Sequence, residues 1–502
     1  MTILTPTDGL QLRVAGVDAL DNTEIDLDAA IESPVATVGS TGAIAAEPLL
    51  MATTDGTTAF YPACSSTRLE TVAHRIDETG DITVADPAAV VDHDPETPEM
   101  PTTGLSTLQD ESRRVLSGSG WRRPANVDDY DAAGGFLKDI DPDAVFDAGE
   151  SIHGRGWGDA CHDSPLTKTW MDADDAEGET AIVINAHSNP GDSLLLSSVP
   201  FTILDGAVSL AQTVDASEIV IFASIADEST IETARTAIDR YPNESSIAID
   251  LVTGPAEYRA AEPTMALEAI EGNHRLEARL RPPGPESVGL YGRPTLIHTA
   301  RTLAHLAVSL REDSIDSHPS TRIMSIEGDV TDRTIIEVPE TTTLETVCAA
   351  ADTTDGIKAA CVGGRFGGLA ADLDISVDPE TLIDANLGTE GIVHVLSEDR
   401  CVVEFVGERA QFAAEENCGR CVPCREGTTQ LAELLRSLYD GTYQPEAIDE
   451  LIRVMTTTSI CEFGVNAGRP TQTALNAFES EFEAHANGRC PTGSCLATME
   501  AQ

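Results

Sequence analysis

Three apolar runs between residues 180 and 252, TAIVINAH, SEIVIFASI and SSIAIDLV, alternate with VPFTILDGAVSLAQTV and STIETARTAIDRY, whose apolar residues recur at helical spacing. A strand covered on both faces reads as a continuous apolar run, and parallel neighbours need crossover helices between them. The alternation therefore predicts a parallel, doubly wound α/β layer. With 502 residues, the chain is long enough to arrange further units around that layer.

Before the layer, LQLRV and ATVG read as short strands and TRLETVAHRI as a helix. The stretch from 84 to 110 is rich in proline and acids and reads as a linker. VDDYDAAGG and DPDAVFDAGES open with acids and predict two short helices. After the layer, RIMSIEGDV, TIIEVPE and IVHVLSE surround one short helix, a small α+β unit. From 406 the pattern is helical through ERAQFAAEEN, TTQLAELLRSLYD, PEAIDELIRVMTTT and PTQTALNAFESEFEAH. The expected divisions are 1–83, a linker at 84–110, 111–321, 322–405 and 406–502.

Charge narrows the partners. The chain carries 31 basic and 85 acidic residues, a net charge of −54, and its only lysines are Lys138, Lys168 and Lys358. Such a surface repels itself unless salt screens it, so the composition points to a halophile's salt-rich cytoplasm. No basic patch exists to replace phosphate counterions, which argues against a nucleic-acid partner. The N-terminus lacks the pattern of a signal peptide, and no apolar run reaches the roughly 18 residues of a membrane span. A cytoplasmic location is expected.

The densest chemistry lies in ENCGRCVPCREGT, where Cys418, Cys421 and Cys424 form C-x2-C-x2-C; Cys461 follows in TTTSICEFG. Thiolates on one turn can each reach a different iron of a cubane, and a fourth from elsewhere closes a [4Fe–4S] site. A helix starting just after Cys424 would turn its free N–H groups toward that anionic centre. Four-cysteine zinc is the alternative, but it normally pairs two C-x2-C knuckles.

ENCGRCVPCREGTTQLAELL and SICEFGVNAGRPTQTALNAFESEFEAH closely resemble the cluster domain of the flavin-bearing, 51 kDa-type subunit of respiratory NADH dehydrogenase. That family also includes subunits of NAD-linked hydrogenases and formate dehydrogenases. RRPANVDDYDAAGGF, ESIHGRGWGDA, GPAEYRAAEPTMALEAIEG and PPGPESVGLYGRPTLIHTARTLAHL extend the likeness over nearly the whole chain. The resemblance implies a thioredoxin-like N-terminal domain, a Rossmann-like flavin domain, a ubiquitin-like insert and a C-terminal helical iron–sulfur domain. It also implies partner redox subunits and electron flow from NADH through FMN to the cluster. On this chain the flavin and nicotinamide site would fall on Gly154, Arg155, Gly156, Gly158, Asn185 and Glu262. No residue is assigned a catalytic role.

Two departures stand out. In VATVGSTGAIAAEPLL, Ser40 and Ile44 occupy positions where the fused [2Fe–2S] domain of hydrogenase relatives has cysteines, and neither side chain binds iron as thiolate does. The flavin loop, GRGWGDACHDSPLTKTW, gains about four residues and a tryptophan, and NAHSNPG lacks the family's carboxylates. Two readings follow. One is an NADH dehydrogenase-like oxidoreductase subunit, with FMN and NAD bound. The other is a relay or scaffold subunit that carries the cluster without them. VGGRFGG, at 362–368, is read as a turn and not a phosphate loop. Cys490 and Cys495 are given a structural or docking role, Cys161 and His162 are read as solvated loop residues, and Cys348, Cys361 and Cys401 as small buried apolar ones.

The charge generates a first prediction. The thermal midpoint should rise as KCl increases into the molar range and fall below a few hundred millimolar. Midpoints that do not move between the two would remove the halophile reading.

Overall fold

In the computed structural model, which describes residues 9–16, 31–102, 112–242, 247–311, 320–353 and 355–495, the chain opens with a five-stranded sheet. Its strands are β1 (Gln11–Ala15), β2 (Val35–Val38), β3 (Leu49–Thr54), β4 (Thr57–Tyr61) and, after α1 (Ser66–Thr79), β5 (Ala89–Asp92), in the order β2-β1-β3-β4-β5. The β3–β4 hairpin turns at Asp55-Gly56, both at positive φ, as a two-residue turn between twisted strands requires. Leu12, Val14, Leu50 and Tyr61 pack on Leu69, Val72 and Ile76 of α1. β5 lies in the stretch read as linker and pairs with β4; residues 103–110 of that stretch fall outside the described residues, as do residues 1–8 of the N-terminus.

Three short helices follow, α2 (Val127–Ala132), α3 (Pro142–Ser151) and α4 (Thr167–Asp174), and then the parallel layer. It comprises β6 (Ala181–Asn185), α5 (Pro190–Ser198), α6 (Pro200–Thr213), β7 (Glu218–Ser224), α7 (Glu228–Arg240), β8 (Ala248–Gly254), α8 (Pro263–Ile270), β9 (Thr295–Thr299) and α9 (Ala300–Arg311). All four strands are parallel, in the order β8-β7-β6-β9. Alternate residues serve opposite faces: Ile182, Ile184, Ile219, Ile221 and Leu296 meet α6 and α9, while Val183, Val220, Phe222 and Ile297 meet α8. Both faces of β6 and β7 are therefore dry, which is why these two strands read as nearly unbroken apolar runs, while β8 at the sheet edge is partly exposed.

No single described helix is long and apolar enough to cross a membrane. The pair α5–α6 would pass together, but it bends by 97° at the break before Pro200, and α6 lies inside the core. Chain order places β9 beside β6, so the strand order reverses there. Open α/β sheets bind ligands at the carboxyl ends of the strands beside such a reversal.

The small unit is richer than its sequence pattern. It contains β10 (Thr321–Gly328), β11 (Thr334–Pro339), α10 (Leu344–Ala349), β12 (Ala359–Val362), β13 (Gly368–Ala370), α11 (Pro379–Asp384) and β14 (Ile392–Leu396), in the order β11-β10-β14-β12-β13. The two additional strands are only four and three residues long, too short to register as periodic. VGGRFGG joins them as a turn, with Gly363 and Gly364 at φ of 107° and 70°. The remaining helices are α12 (Val402–Glu416), α13 (Val422–Ser437), α14 (Pro445–Thr458), α15 (Glu462–Asn466) and α16 (Arg469–Ala486).

One buried carboxyl ties the approach to the layer to the small sheet. Glu337 on β11 is fully buried; its Oε2 accepts from Val115 and Leu116 N–H, both at 2.9 Å, and its Oε1 from the Thr321 hydroxyl at 2.6 Å. Burial pushes it up to about 7 against those hydrogen bonds. Its folded value thus exceeds the unfolded one near 4.3, so its contribution is complete below about pH 4 and is lost as pH rises through 7. Glu337→Gln keeps the shape without the charge. At constant KCl, the stability of the variant relative to wild type should increase between pH 5 and 8, by up to about 3 kcal/mol. Parallel denaturation midpoints across that range would refute this role.

Candidate functional site

The cysteine turn is set by what flanks it. Asn417 ends α12, its Nδ2 donating to Ala413 and Ala414 carbonyls at 3.1 and 2.9 Å, while its Oδ1 accepts from Gly419 N–H at 3.0 Å. Gly419 sits at φ +77°, and Arg425 Nη1 donates to its carbonyl at 2.9 Å. The following helix begins earlier than its sequence suggests: α13 starts at Val422 with Cys421 as N-cap, so Cys424 lies within its first turn. Pro423 fits there because the first helical N–H groups have no partner inside the helix. Cys461 is the N-cap of α15, so two helix N-termini meet at the thiols.

Gly464 permits this approach, since a Cβ there would lie 2.8 Å from Cys424 Cβ. Cys424 and Cys461 are buried, Cys418 and Cys421 half-buried, and all four are free thiols. Burial pushes the Cys424 thiol up, and the other three thiols push the same way; burial and then Glu262 raise Cys461 to about 12. Four such groups become thiolates together only around compensating positive charge, and the two helix N-termini add to it.

The set fits a cubane better than a zinc ion. Among the described residues two groups of Cys, His and Asp side chains bring their ligand atoms within 4.8 Å of one another, and neither includes these four. A zinc ion about 2.3 Å from each sulfur needs its sulfurs roughly 3.8 Å apart, whereas a cubane spreads its ligands over four irons. Around the thiols stand Met455, Phe366, Phe412, Phe463, Tyr258 and Trp157. These apolar walls would shield a bound cluster from water on that side and so influence its potential.

Trp157 belongs to the glycine-rich loop, which lies at the β6–β9 reversal. The loop is folded tightly on itself and its neighbours. A Cβ at Gly154 would lie 2.5 Å from Cys161 O; one at Gly156, where φ is +85°, 2.6 Å from Arg301 Nη2; one at Gly158, 2.9 Å from Asn185 Nδ2. The glycines thus admit protein atoms. Arg155 turns away and donates from Nη1 to Thr321 O at 2.9 Å, its guanidinium buried and lowered to about 9 by desolvation and by Arg322. Asn185 Nδ2 spans Gly158 O and Ala261 O at 2.9 and 2.8 Å. Glu262 caps α8 and pairs with Arg281 at 2.8 Å.

The tryptophan fills the remaining space. Trp157 stacks on Tyr258 with ring centroids 4.7 Å apart, and the cavity they line with Asn185, His187 and Glu390 holds about 10 Å³. Cofactor pockets generally run to several hundred Å³. As packed, these residues do not accommodate FMN.

In the inserted part of the loop Cys161 is buried and His162 half-buried, contrary to their reading as solvated residues. Asp159 Oδ1 accepts from His298 Nδ1 at 3.0 Å and from Cys161 Sγ at 3.0 Å, and Trp170 Nε1 donates to His298 Nε2 at 2.9 Å. Indole N–H only donates, so His298 Nε2 is the acceptor of that bond. Burial works against the Asp159 carboxylate, but His298 and the Cys161 thiol hold it below the ordinary carboxylate range. Burial and Asp159 push the Cys161 thiol far up. His162 bonds to Thr389 Oγ1 at 2.7 Å. The partners of this network, 139 and 128 residues apart in the chain, left no local signal. In the N-terminal sheet, Ser40 bonds to Glu47 Oε1 at 2.9 Å, while Ile44 is exposed and Cys64 buried.

Residues 404–485 match the family model described as the NADH-ubiquinone oxidoreductase-F iron-sulfur binding region. The F subunit of the NADH-quinone oxidoreductase of Aquifex aeolicus is 28% identical over 395 residues, covering 72% of this chain and 91% of that protein. The HndC subunit of the NADP-reducing hydrogenase of Solidesulfovibrio fructosivorans is 28% identical over 270 residues, covering 50% of this chain and 55% of that protein. The solved NAD+-reducing [NiFe]-hydrogenase in its H2-reduced state superposes with a TM-score of 0.64 at 21% identity, covering 98% of this chain and 88% of that one. The fold and thiol set define a multidomain α/β iron–sulfur protein. The chain is thus similar over most of its length to F subunits of NADH-quinone oxidoreductases, and its C-terminal region matches their iron–sulfur binding region.

Cys421→Ser should abolish the broad absorbance near 400 nm of anaerobically purified protein and most of its iron. Gly464→Val, which forces Cys461 and Cys424 apart, should lower iron content several-fold with all four thiols present. Full iron in either variant would contradict the assigned ligand set.

Proposed function

We propose that this chain is an iron–sulfur electron-transfer subunit of an NADH dehydrogenase-type assembly, with Cys418, Cys421, Cys424 and Cys461 holding a [4Fe–4S] cluster. The observation that carries this is the convergence of four free thiols at two helix N-termini inside an aromatic wall. A bound cluster supplies one-electron transfer. The chain's own residues do the rest: Asn417 and Arg425 hold the turn, Gly464 admits the fourth ligand, and the aromatic side chains exclude water. We carry the domain divisions over as part of this reading, with a degenerate thioredoxin-like unit, a Rossmann-like layer, a ubiquitin-like insert and the helical cluster domain. Partner redox subunits are supported by the relatives, which are named as subunits of larger enzymes. A cytoplasmic place, at high salt, is supported by the acidic surface.

The same relatives support an order running from NADH through FMN to the cluster, on Gly154, Arg155, Gly156, Gly158, Asn185 and Glu262. The stacked Trp157 bears the other way, toward a relay that receives its electrons from a partner, because the cavity it fills does not admit a flavin. Two measurements test the proposal. Dithionite should reduce about one electron per chain and produce the paramagnetic signal of a reduced cubane; an iron-loaded protein that accepts no electron would end the electron-transfer reading. Equilibrium dialysis with FMN in high KCl, followed by NADH-dependent ferricyanide reduction, tests the order. Wild type should take up little FMN and Trp157→Gly substantially more. Stoichiometric FMN in wild type would show that Trp157 swings aside.

A further inference from the structure

A second thiol set lies away from the cluster, at the other end of α12. Cys401, His485, Cys490 and Cys495 are all buried, at 0%, 3%, 8% and 1% exposure, and their ligand atoms all lie within 4.8 Å of one another. His485 Nε2 stands 3.3 Å from Cys401 Sγ and 3.4 Å from Cys495 Sγ. Zinc with bonds of about 2.3 Å to sulfur and about 2.0 Å to nitrogen places its sulfur and nitrogen ligands roughly 3.5 Å apart. These two separations match the sulfur–nitrogen edges of a tetrahedron around one ion, and the remaining pairs lie within 4.8 Å.

The surroundings prepare each ligand. His485 Nδ1 lies 2.6 Å from Glu481 O, and a carbonyl only accepts, so Nδ1 carries the proton and Nε2 presents its lone pair to the sulfurs. Backbone N–H groups of Glu404 and Gly493 donate to Cys401 Sγ at 3.4 Å and Cys490 Sγ at 3.2 Å, as they would to thiolates. No disulfide joins Cys490 to Cys495. Cys401, read as a small buried apolar residue, is buried in the core, and it also caps α12 and lies beside His485, Cys490 and Cys495.

We propose that Cys401, His485, Cys490 and Cys495 bind one structural zinc ion, a metal site separate from the iron–sulfur centre. Four protein ligands close the coordination shell and leave no position for substrate. The ion joins the start of α12, the last turn of α16 and the RCPTGSC segment, which packing and a few hydrogen bonds such as Val402 N–H to Glu481 Oε2 at 3.4 Å also hold together. α12, roughly 22 Å long, runs from this site to the cluster turn, so the zinc fixes one end of the helix whose other end opens that turn.

The test counts both metals in the full chain, purified anaerobically in high KCl. About one zinc should accompany about four irons, and zinc-edge X-ray absorption should show three sulfurs and one nitrogen. Cys490→Ser and Cys495→Ser should each lower zinc at least tenfold with iron retained, while Cys421→Ser should lose iron and keep zinc. In that iron-free variant, added Co(II) should give the intense visible bands of a tetrahedral thiolate site. The proposal is overturned by iron-loaded wild type with less than a tenth of a zinc per chain and no cobalt uptake, by a Cys490–Cys495 disulfide in the anaerobic protein, or by iron and zinc falling together in Cys490→Ser. The X-ray measurement on wild type decides the matter even where a variant fails to fold.

Discussion

Three buried arginines at the carboxyl end of the parallel layer hold the units of this protein to one another. Arg301, in the first turn of α9, pairs with Asp192 at 3.0 Å and donates to Glu390 O at 2.6 Å. Arg155 reaches Thr321 O, and Arg322 reaches Thr389 O at 2.8 Å with Glu340 nearby at 3.6 Å. Buried guanidinium groups need acceptors for their N–H groups, and those here come from both the layer and the small sheet, although Arg155 Nε has no partner among the described residues. In a chain so short of positive charge, arginine is spent where its planar fork joins elements, and a lysine would satisfy fewer partners. The pairing also explains the folded-in glycine loop, because Arg301 Nη2 occupies the space beside Gly156.

From that joint the chemistry extends toward the helical region. The Trp157–Tyr258 stack is at once the filling of the loop's cavity and part of the wall around the cluster thiols, where Tyr258 meets Phe366, Phe412 and Phe463 edge-on. Glu262 is shared in the same way, capping α8 and pairing with Arg281 while its charge is felt at Cys461. The loop and the cluster pocket therefore form one packed body, and a change at Trp157 reaches both.

Much of the architecture is legible in the sequence because it repeats locally. Three of the four parallel strands, β6, β7 and β8, announce themselves as apolar runs of five to seven residues, and the C-terminal helices through long apolar periodicity. The cluster ligands can be read because three of them share a seven-residue turn, a spacing with few other uses. The start of α13 falls a few residues before the point its pattern suggests, since Pro423 marks a helix interior that has just begun and not the residue before it. β5, β12 and β13 leave no pattern because each is three or four residues long and is made a strand by its neighbour.

What the sequence determined alone is the set of local preferences and the ligand chemistry: which segments would bury both faces, which turn would carry thiols, and how strongly the surface repels itself. What only the tertiary structure decided is which distant groups meet. Cys401 and His485 lie 84 residues apart, and nothing near either names the other. Asp159 finds His298 across 139 residues, turning an inserted loop into a buried network. The direction of Arg155, the filling of the loop by Trp157 and the second thiol set all depend on packing between units. Packing sums many weak contacts over the whole molecule, so no local pattern of residues encodes them.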